Sequence, residues 1–550
     1  MTRGLVGGIA GALCLWLGLL AGCSTEGEDT AANGPSGRVS LPAPRLLRRI
    51  SLDLRGTLPS TADLDAVEAD PGKLRVLAEG YINSDAFEER FTSLLAERWH
   101  TVLDIYEVGP IDYGLGIERS DEFAHAVGEE PLRLIAHVVH QNLPWSEVVT
   151  ADYTMAAPIL IDLWPMQPVD GEEPKASGWR KARYTDGRPA AGVLATNGFY
   201  WRYVTNVSNK SRGRVAAISR LLLCTDILAR PVQFERTQAI DPEEAIRTEP
   251  ACVTCHVTVD PLAASMFGFW WTIQYNPYEM QSYHPERERL GPVLLDTEPG
   301  YYGTTTGGLV DLGHYLSEDP RYSRCAAESM AEQLWKRPVG FDDHAEIDAL
   351  RQEFEAGGGL PQPLLLDVLE AESYKVGSFS DEASEATRAT EVPVRLLSPN
   401  QQRLLLSELT GMVWTQDGYT QLENDQEGVR NLAGGVDGYT VTSPQSTPGL
   451  TWVLVNKRAA QAGAWSLVQR DLGQAGASVL TVSATARPGE AEFDEQLARL
   501  HWRLFAVRSE AAWVTEMGAL WTEVEASMGA QQAWEAVVEV MLRDPLMVTY

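Results

Sequence analysis

Apolar residues recur along most of this chain at spacings of three and four, the period of a helix with one buried face. One such stretch starts at Asn83-Ser84-Asp85 and runs through Phe87, Phe91, Leu94, Leu95 and Trp99. Another covers Glu122 to Asn142, with Leu132, Ile135, Val138 and Val139 inward. Ser60-Thr61-Ala62-Asp63 has the form of a helix start, an N-cap hydroxyl with an acidic residue three positions on. The apolar positions Leu64, Val67, Leu74, Val76 and Leu77 then suit one or two helices. Val215 to Leu228 reads as an apolar helix carrying Cys224, and Asp311 to Lys336 as another carrying Cys325. Leu497 to Met541 is strongly helical in pattern. Between Ala151 and Ser211 the periodicity fails and Gly, Pro and aromatic residues crowd together. The pattern predicts a mainly α, multi-domain protein with irregular, aromatic-rich connections.

Breaks in the pattern set the expected boundaries. Gly357-Gly358-Gly359 and the polar stretch Ser378 to Thr390 mark a linker, and Ser398-Pro399-Asn400 opens a second helical body. The expected organisation is an N-terminal helical domain over 41–150 and a domain over 151–300 that holds a C-x-x-C-H motif. A small helical domain over 301–377, a linker over 378–396 and a C-terminal helical domain over 397–550 follow. No motif assigns a role to that last region.

The start of the chain changes the picture. Met1-Thr2-Arg3 precedes an uncharged run from Gly4 to Gly22 that ends in Leu20-Ala21-Gly22-Cys23. A basic n-region and an apolar h-region are the parts of an export signal. The ending matches a bacterial lipobox, in which Cys23 becomes the first mature residue and carries the lipid. An uncleaved membrane anchor competes, because the run is near the length of a span. The lipobox reading makes 1–22 a signal peptide and 23–40 a flexible tether. It implies a lipid-anchored protein of the bacterial cell envelope, with Ser24 after Cys23 favouring the outer membrane.

Composition narrows the partners. The formal net charge of -31 repels phosphate backbones, so no nucleic-acid partner is expected. It also disfavours docking on anionic lipid, which leaves the acyl chain as the membrane contact. There is no H-E-x-x-H, G-x-S-x-G or P-loop, so hydrolase and nucleotide-binding readings lack support. Of 6 Cys, Cys14 falls in the signal and Cys23 in the lipobox. Cys224, Cys252, Cys255 and Cys325 remain. In an oxidising compartment Cys224 and Cys325 are expected to pair, the alternative being two buried reduced thiols.

Cys252-Val253-Thr254-Cys255-His256 has the spacing of a c-type haem attachment site. Two thiols would join the haem vinyl groups, and His256 would supply an axial nitrogen to iron. A Cys252–Cys255 disulfide and a zinc site compete, zinc least well because no second ligand pair lies nearby. Asp260, one helical turn on, either holds the other ring nitrogen of His256 or is a surface residue, the surface role being preferred. Met266, Met280 and His284 are candidate second axial ligands, with Met330 and His314 further off, and an open sixth position is also consistent. Phe199, Tyr200, Trp201, Tyr203, Phe267, Phe269, Trp270, Trp271, Tyr275 and Tyr278 form either haem-pocket walls or an ordinary aromatic core. His137 and His140 lack an acidic pair on a facing helix and read as core or surface residues. Glu423 to Gly428 opens like a calcium loop, but Gly434 stands where the bidentate Glu is needed, so it reads as an acidic turn.

Several blocks resemble a known family. Arg48-Arg49-Ile50-Ser51-Leu52-Asp53-Leu54-Arg55-Gly56 with Pro59 resembles the start of planctomycete-type cytochrome-associated domains, modular exported bacterial proteins. Asn83 to Phe91, Ala191 to Ala195, Arg212-Gly213 and Leu542 to Pro545 are similar to further family blocks. Cys252 to His256 with Asp260-Pro261 looks like the core of the family's C-x-x-C-H domain. The Gly-Phe pair usual soon after that Asp-Pro comes later here, at Gly268-Phe269. Arg324-Cys325 with Leu334 to Arg337 resembles the small helical domain that follows. The resemblance implies a haem domain beside a helical one and fixes no reaction. Three functions are therefore expected in competition. The first is electron transfer by a lipid-anchored protein with one covalent haem c and a redox partner. The second is an envelope interaction or assembly lipoprotein with a Cys252–Cys255 disulfide, and the third is a haem peroxidase-like enzyme.

Overall fold

The computed structural model describes residues 37–229, 241–272, 275–416, 419–426 and 428–550. The expected signal, Cys14, Cys23 and most of the tether lie outside the described residues. The protein is mainly α. Among the described residues no helix is long and apolar enough to cross a membrane.

A short strand β1 (Arg38–Ser40) leads into α1 (Ala43–Arg55). Pro44 sits in the first turn of α1, and Gly56, with φ of 70°, closes it in the left-handed conformation that only glycine adopts freely. Ser60 caps the next helix, its hydroxyl accepting from the Asp63 N–H at 3.1 Å, as the pattern of that segment predicts. Then come α2 (Asp85–Trp99), with Asp85 and Glu88 in its first turn, and α3 (Ser120–His140). The irregular stretch holds a small antiparallel sheet of β2 (Thr154–Ala156), β3 (Met166–Pro168) and β4 (Arg180–Tyr184), in the order β2-β4-β3. Strands this short carry too little alternation to stand out in sequence.

Three more helices frame the site: α4 (Arg212–Leu222), α5 (Pro250–Ala264) and α6 (Pro320–Trp335). The helix expected over 215–228 stops at Leu222, and Cys224 follows in a turn with φ of 46°. The single helix expected over 311–336 is two, Leu309–Glu318 and α6. Pro320 disfavours helical backbone at Asp319, and the Asp319 carboxylate instead caps the Arg321 N–H at 2.8 Å. Strand β5 (Val376–Phe379) then returns to pair with β1.

Side chains from 41–150, 151–300 and 301–377, expected as three domains, enter one continuous core that takes in residues from Leu46 to Tyr374 and, from the C-terminal body, Trp502 and Ala506. A second core gathers Trp521, Trp534 and Phe493 within the helices Pro399–Thr410, Leu450–Asp471, Ala491–Phe505, Ala511–Met528 and Ala530–Arg543. Helix α1 belongs to both, giving Leu46, Leu47, Ile50 and Leu54 to the first and Leu52 to the second.

Buried charge fastens that seam. Arg48 donates to the carbonyls of Leu504, Met547 and Thr549, and Arg49 to those of Tyr374, Val376 and Pro393. Burial pushes each of these guanidinium groups down to about 9, still charged at neutral pH. Asp53 accepts from Tyr374 and Tyr550 hydroxyls at 3.1 and 2.7 Å and from Arg395 at 3.2 Å. Residues 378–396 are thus more than the linker their composition suggests. Arg395 joins this network, and buried Glu391 receives Arg38 and Arg337.

Candidate haem-attachment face

The helical backbone of α5 brings the pentad together. Residues three and four apart share a helix face, so Cys252, Cys255 and His256 lie on one stripe. Both cysteines are free thiols and only partly buried. Glu249 and Pro250 set the start of the helix, Pro250 standing where its missing N–H is no loss. The helix carries Pro261 and runs on to Ala264.

Asp260 corrects the preferred surface reading. It is 8% exposed, and its carboxylate lies 2.9 Å from His256 Nδ1. Arg212, at the start of α4, donates to the same carboxylate through two nitrogens at 2.8 and 3.0 Å. Burial pushes the Asp260 carboxyl up, but the bonds from His256 and Arg212 outweigh it and hold it below the usual carboxylate range. Glu243 reaches both Lys210, at 2.7 Å, and Arg212, at 3.7 Å, tying the helix before α5 into the same array. The carboxylate fixes the histidine tautomer with the proton on Nδ1, so Nε2 carries the lone pair. Among the described residues nothing bonds Nε2. A bonded Nδ1–H and a bare Nε2 is the arrangement a metal-binding histidine requires.

A cavity of about 260 Å³ opens beside Cys255 between α4 and α5, lined by Val215, Ser219, Ile227, Val259, Leu262 and Tyr302. Cys224 and Cys325, expected to pair, lie just after α4 and on α6. Those two cysteines are themselves joined in a disulfide, with Cα atoms 5.2 Å apart, that ties the exit of α4 to α6.

The candidate second ligands are not brought to this cavity. Met266 and Met280 are buried in the main core, and the Met280 carbonyl accepts from the Trp201 indole at 2.9 Å. His284 Nε2 lies 3.1 Å from the Glu279 carbonyl, and its Nδ1 faces Glu286. Met330 is buried on α6, and His314 is exposed. Most of the aromatic residues near the pentad pack on one another. Tyr200 stacks on Phe269 at 3.8 Å and Phe267 on Trp270 at 4.8 Å, while Tyr275 and Tyr278 are exposed. Gly268 is required there, since a Cβ would come within 2.0 Å of the Tyr283 ring.

Sequence reasoning weighed Asp260 too lightly and gave Arg212 no chemical role. The i,i+4 pairing of His256 with Asp260 was the available signal; Arg212 lies 48 residues from Asp260, and no local pattern joins them. His137 and His140 do meet a facing acid. Glu88 of α2 lies 2.8 Å from His140 Nδ1 and 3.8 Å from His137 Nδ1, and it also receives Lys175. The lysine makes this a buried ion cluster. Among the described residues no group of three or more His, Cys, Asp or Glu is arranged to hold a metal ion directly.

No protein-family model, curated protein or solved structure matches the chain.

Proposed function

We propose that this is an exported, lipid-anchored protein carrying one covalent c-type haem at Cys252, Cys255 and His256, serving electron transfer in the bacterial cell envelope. The observation that carries the reading is the His256–Asp260–Arg212 array beside two free thiols on one helix face. The residues fit the group. Cys252 and Cys255 would hold its periphery and His256 Nε2 its iron, and the group would supply one-electron redox chemistry. Asp260 orients the imidazole, and Arg212 helps keep Asp260 ionised at that task. Of the pentad's three ligating residues only Cys255 lines the cavity, whose volume lies just below the range of about 300–1,000 Å³ usual for small-molecule pockets, so a macrocycle held by all three would lie partly in solvent. An exposed edge suits exchange of electrons with a docked redox partner. Cys23 would anchor the chain through its lipid, with the tether giving reach.

One observation favours a second reading, a haem enzyme acting on peroxide. None of the candidate second ligands Met266, Met280, His284, Met330 and His314 lines the cavity beside Cys255. Iron held by His256 with its sixth position open would bind small ligands there.

The test is maturation with a cytochrome-assembly system, followed by haem staining of a denaturing gel and optical spectroscopy. A stained band at the mass of the chain supports the haem reading, and an unstained band sinks it. A low-spin spectrum unaffected by cyanide favours electron transfer; a high-spin spectrum that shifts with cyanide favours the peroxide reading.

A further inference from the structure

A larger cavity, about 500 Å³, lies in the seam between the two cores, away from the thiols of α5. Its walls come from the end of α2, from α4 and α6, and from residues 392–398 and 433–446. That volume is typical of small-molecule sites. We propose that this cavity binds a small organic carboxylate with an apolar, planar body.

The charge of the wall points to an anion. Five Lys or Arg side chains line it against two Glu, in a chain whose formal net charge is -31. Glu332 is held by Arg98 at 2.6 Å and Glu97 by Lys336 at 3.3 Å. Arg337 and Arg395 are matched from behind by Asp343, Glu391 and Asp53. Arg220 differs. Its Nη2 donates to the Tyr203 hydroxyl at 3.2 Å, and among the described residues no carboxylate pairs with it. A guanidinium with donors to spare presents the two-pronged geometry that carboxylates bind best.

The second observation is independent of charge. Trp452 forms part of the wall and is 4% exposed, yet its indole N–H has no acceptor among the described residues. Arg98 Nε, also on this wall, is buried and unpartnered. Both nitrogens are closed off from the cavity, so what Trp452 gives the wall is its apolar ring and not its N–H. Apolar Val392, Leu396, Leu397 and Pro338 line part of the rest, beside polar Ser398, Thr442 and Ser443, which leaves an apolar strip for a planar hydrocarbon body. Stripping water from a dianion is harder than from a monoanion, which favours a carboxylate over a phosphate in such a half-apolar space.

The full-length protein is titrated calorimetrically with naphthalene-2-carboxylate, its neutral carboxamide and inorganic phosphate. The carboxylate is expected to bind one to one and about tenfold or more tighter than the amide. Arg220→Met and Trp452→Phe are each expected to weaken the carboxylate about fivefold or more, and Arg220→Lys about threefold, by loss of the fork at constant charge. Arg220→Lys keeps the test alive should Arg220→Met fold poorly, and Trp452→Phe trims the ring while keeping it aromatic. Equal affinity for acid and amide, tighter binding of phosphate than of the carboxylate, unaltered affinity in the folded variants, or no heat at 1 mM carboxylate would each overturn the proposal.

Discussion

At the seam, Asp53 receives two tyrosine hydroxyls and Arg395, and Arg48 and Arg49 each reach three backbone carbonyls. All of these side chains are buried, and only the Nε atoms of Arg49 and Arg395 lack acceptors. On α5, Asp260 is also buried and also receives an arginine, but its other partner is a histidine whose second nitrogen is bare, beside two free thiols. The same residue types build both places. The seam network spends nearly all of its donors and acceptors internally and holds the two bodies together. The α5 array ends in a lone pair and two nucleophilic sulfurs, which is what attachment chemistry needs. What a buried charge network leaves over separates a fastening from a site.

The comparison can be broken first at the seam. Asp53→Ala strands Arg395 and two buried hydroxyls and is expected to destabilise the protein by about 3–5 kcal/mol in denaturant unfolding. A loss under about 1 kcal/mol would mean the seam is not a fastening. Next, the Cys224→Ser, Cys325→Ser double variant opens a link between residues 101 apart. The chain-entropy model then predicts a loss of about 4.7 kcal/mol. Haem attachment on α5 should survive this change, because the disulfide takes no part in the cavity beside Cys255; loss of attachment would tie the two regions together.

Glu130 sharpens the contrast from another side. It is fully buried on α3, accepting from the Tyr184 hydroxyl at 2.7 Å and the Gly198 N–H at 2.9 Å. Burial pushes its carboxyl up to about 7, and these donors with Arg188 offset only part of that. The native state therefore binds this proton more tightly than the unfolded chain. Stability from this group is fully present below about pH 4.5 and is lost as pH rises to about 7, roughly 3 kcal/mol in all. Glu130→Gln should flatten that part of the stability profile, and an unchanged slope would count against the assignment. Asp260 moves the opposite way because the bonds from His256 and Arg212 outweigh its burial. The smallest stability effect is expected at Asp260→Asn, about 1–2 kcal/mol. Its larger consequence should be a changed optical spectrum of the haem-loaded protein, since His256 loses the group that orients it. A spectrum identical to wild type would leave Asp260 without a positioning role.

Much of this was legible along the chain, for local reasons. The Ser60 cap, helix α2 and the helix start at Ser398-Pro399 follow from adjacent residues, and the structure has each of them. The pentad is equally local. What was not legible depends on distant contacts. The break before Pro320 needed the Asp319 cap to be weighed against a strong apolar period. Arg48, Arg49 and Asp53 look like an ordinary basic, amphipathic turn until residues more than 300 positions away meet them, with carbonyls for the two arginines and with hydroxyls and a guanidinium for Asp53. The aromatic cluster after the pentad could have walled a cofactor; the Tyr200–Phe269 stack instead spends it on the core.

The central claim is that α5 is an attachment helix, and intact mass reads it most directly. Protein matured with a cytochrome-assembly system should be heavier than its chain by about 616 Da, the mass of one haem. The Cys252→Ser, Cys255→Ser double variant should lack that increment. A wild-type mass equal to the bare chain, or lighter than the reduced chain by four protons where the Cys224–Cys325 disulfide accounts for two, would contradict the account.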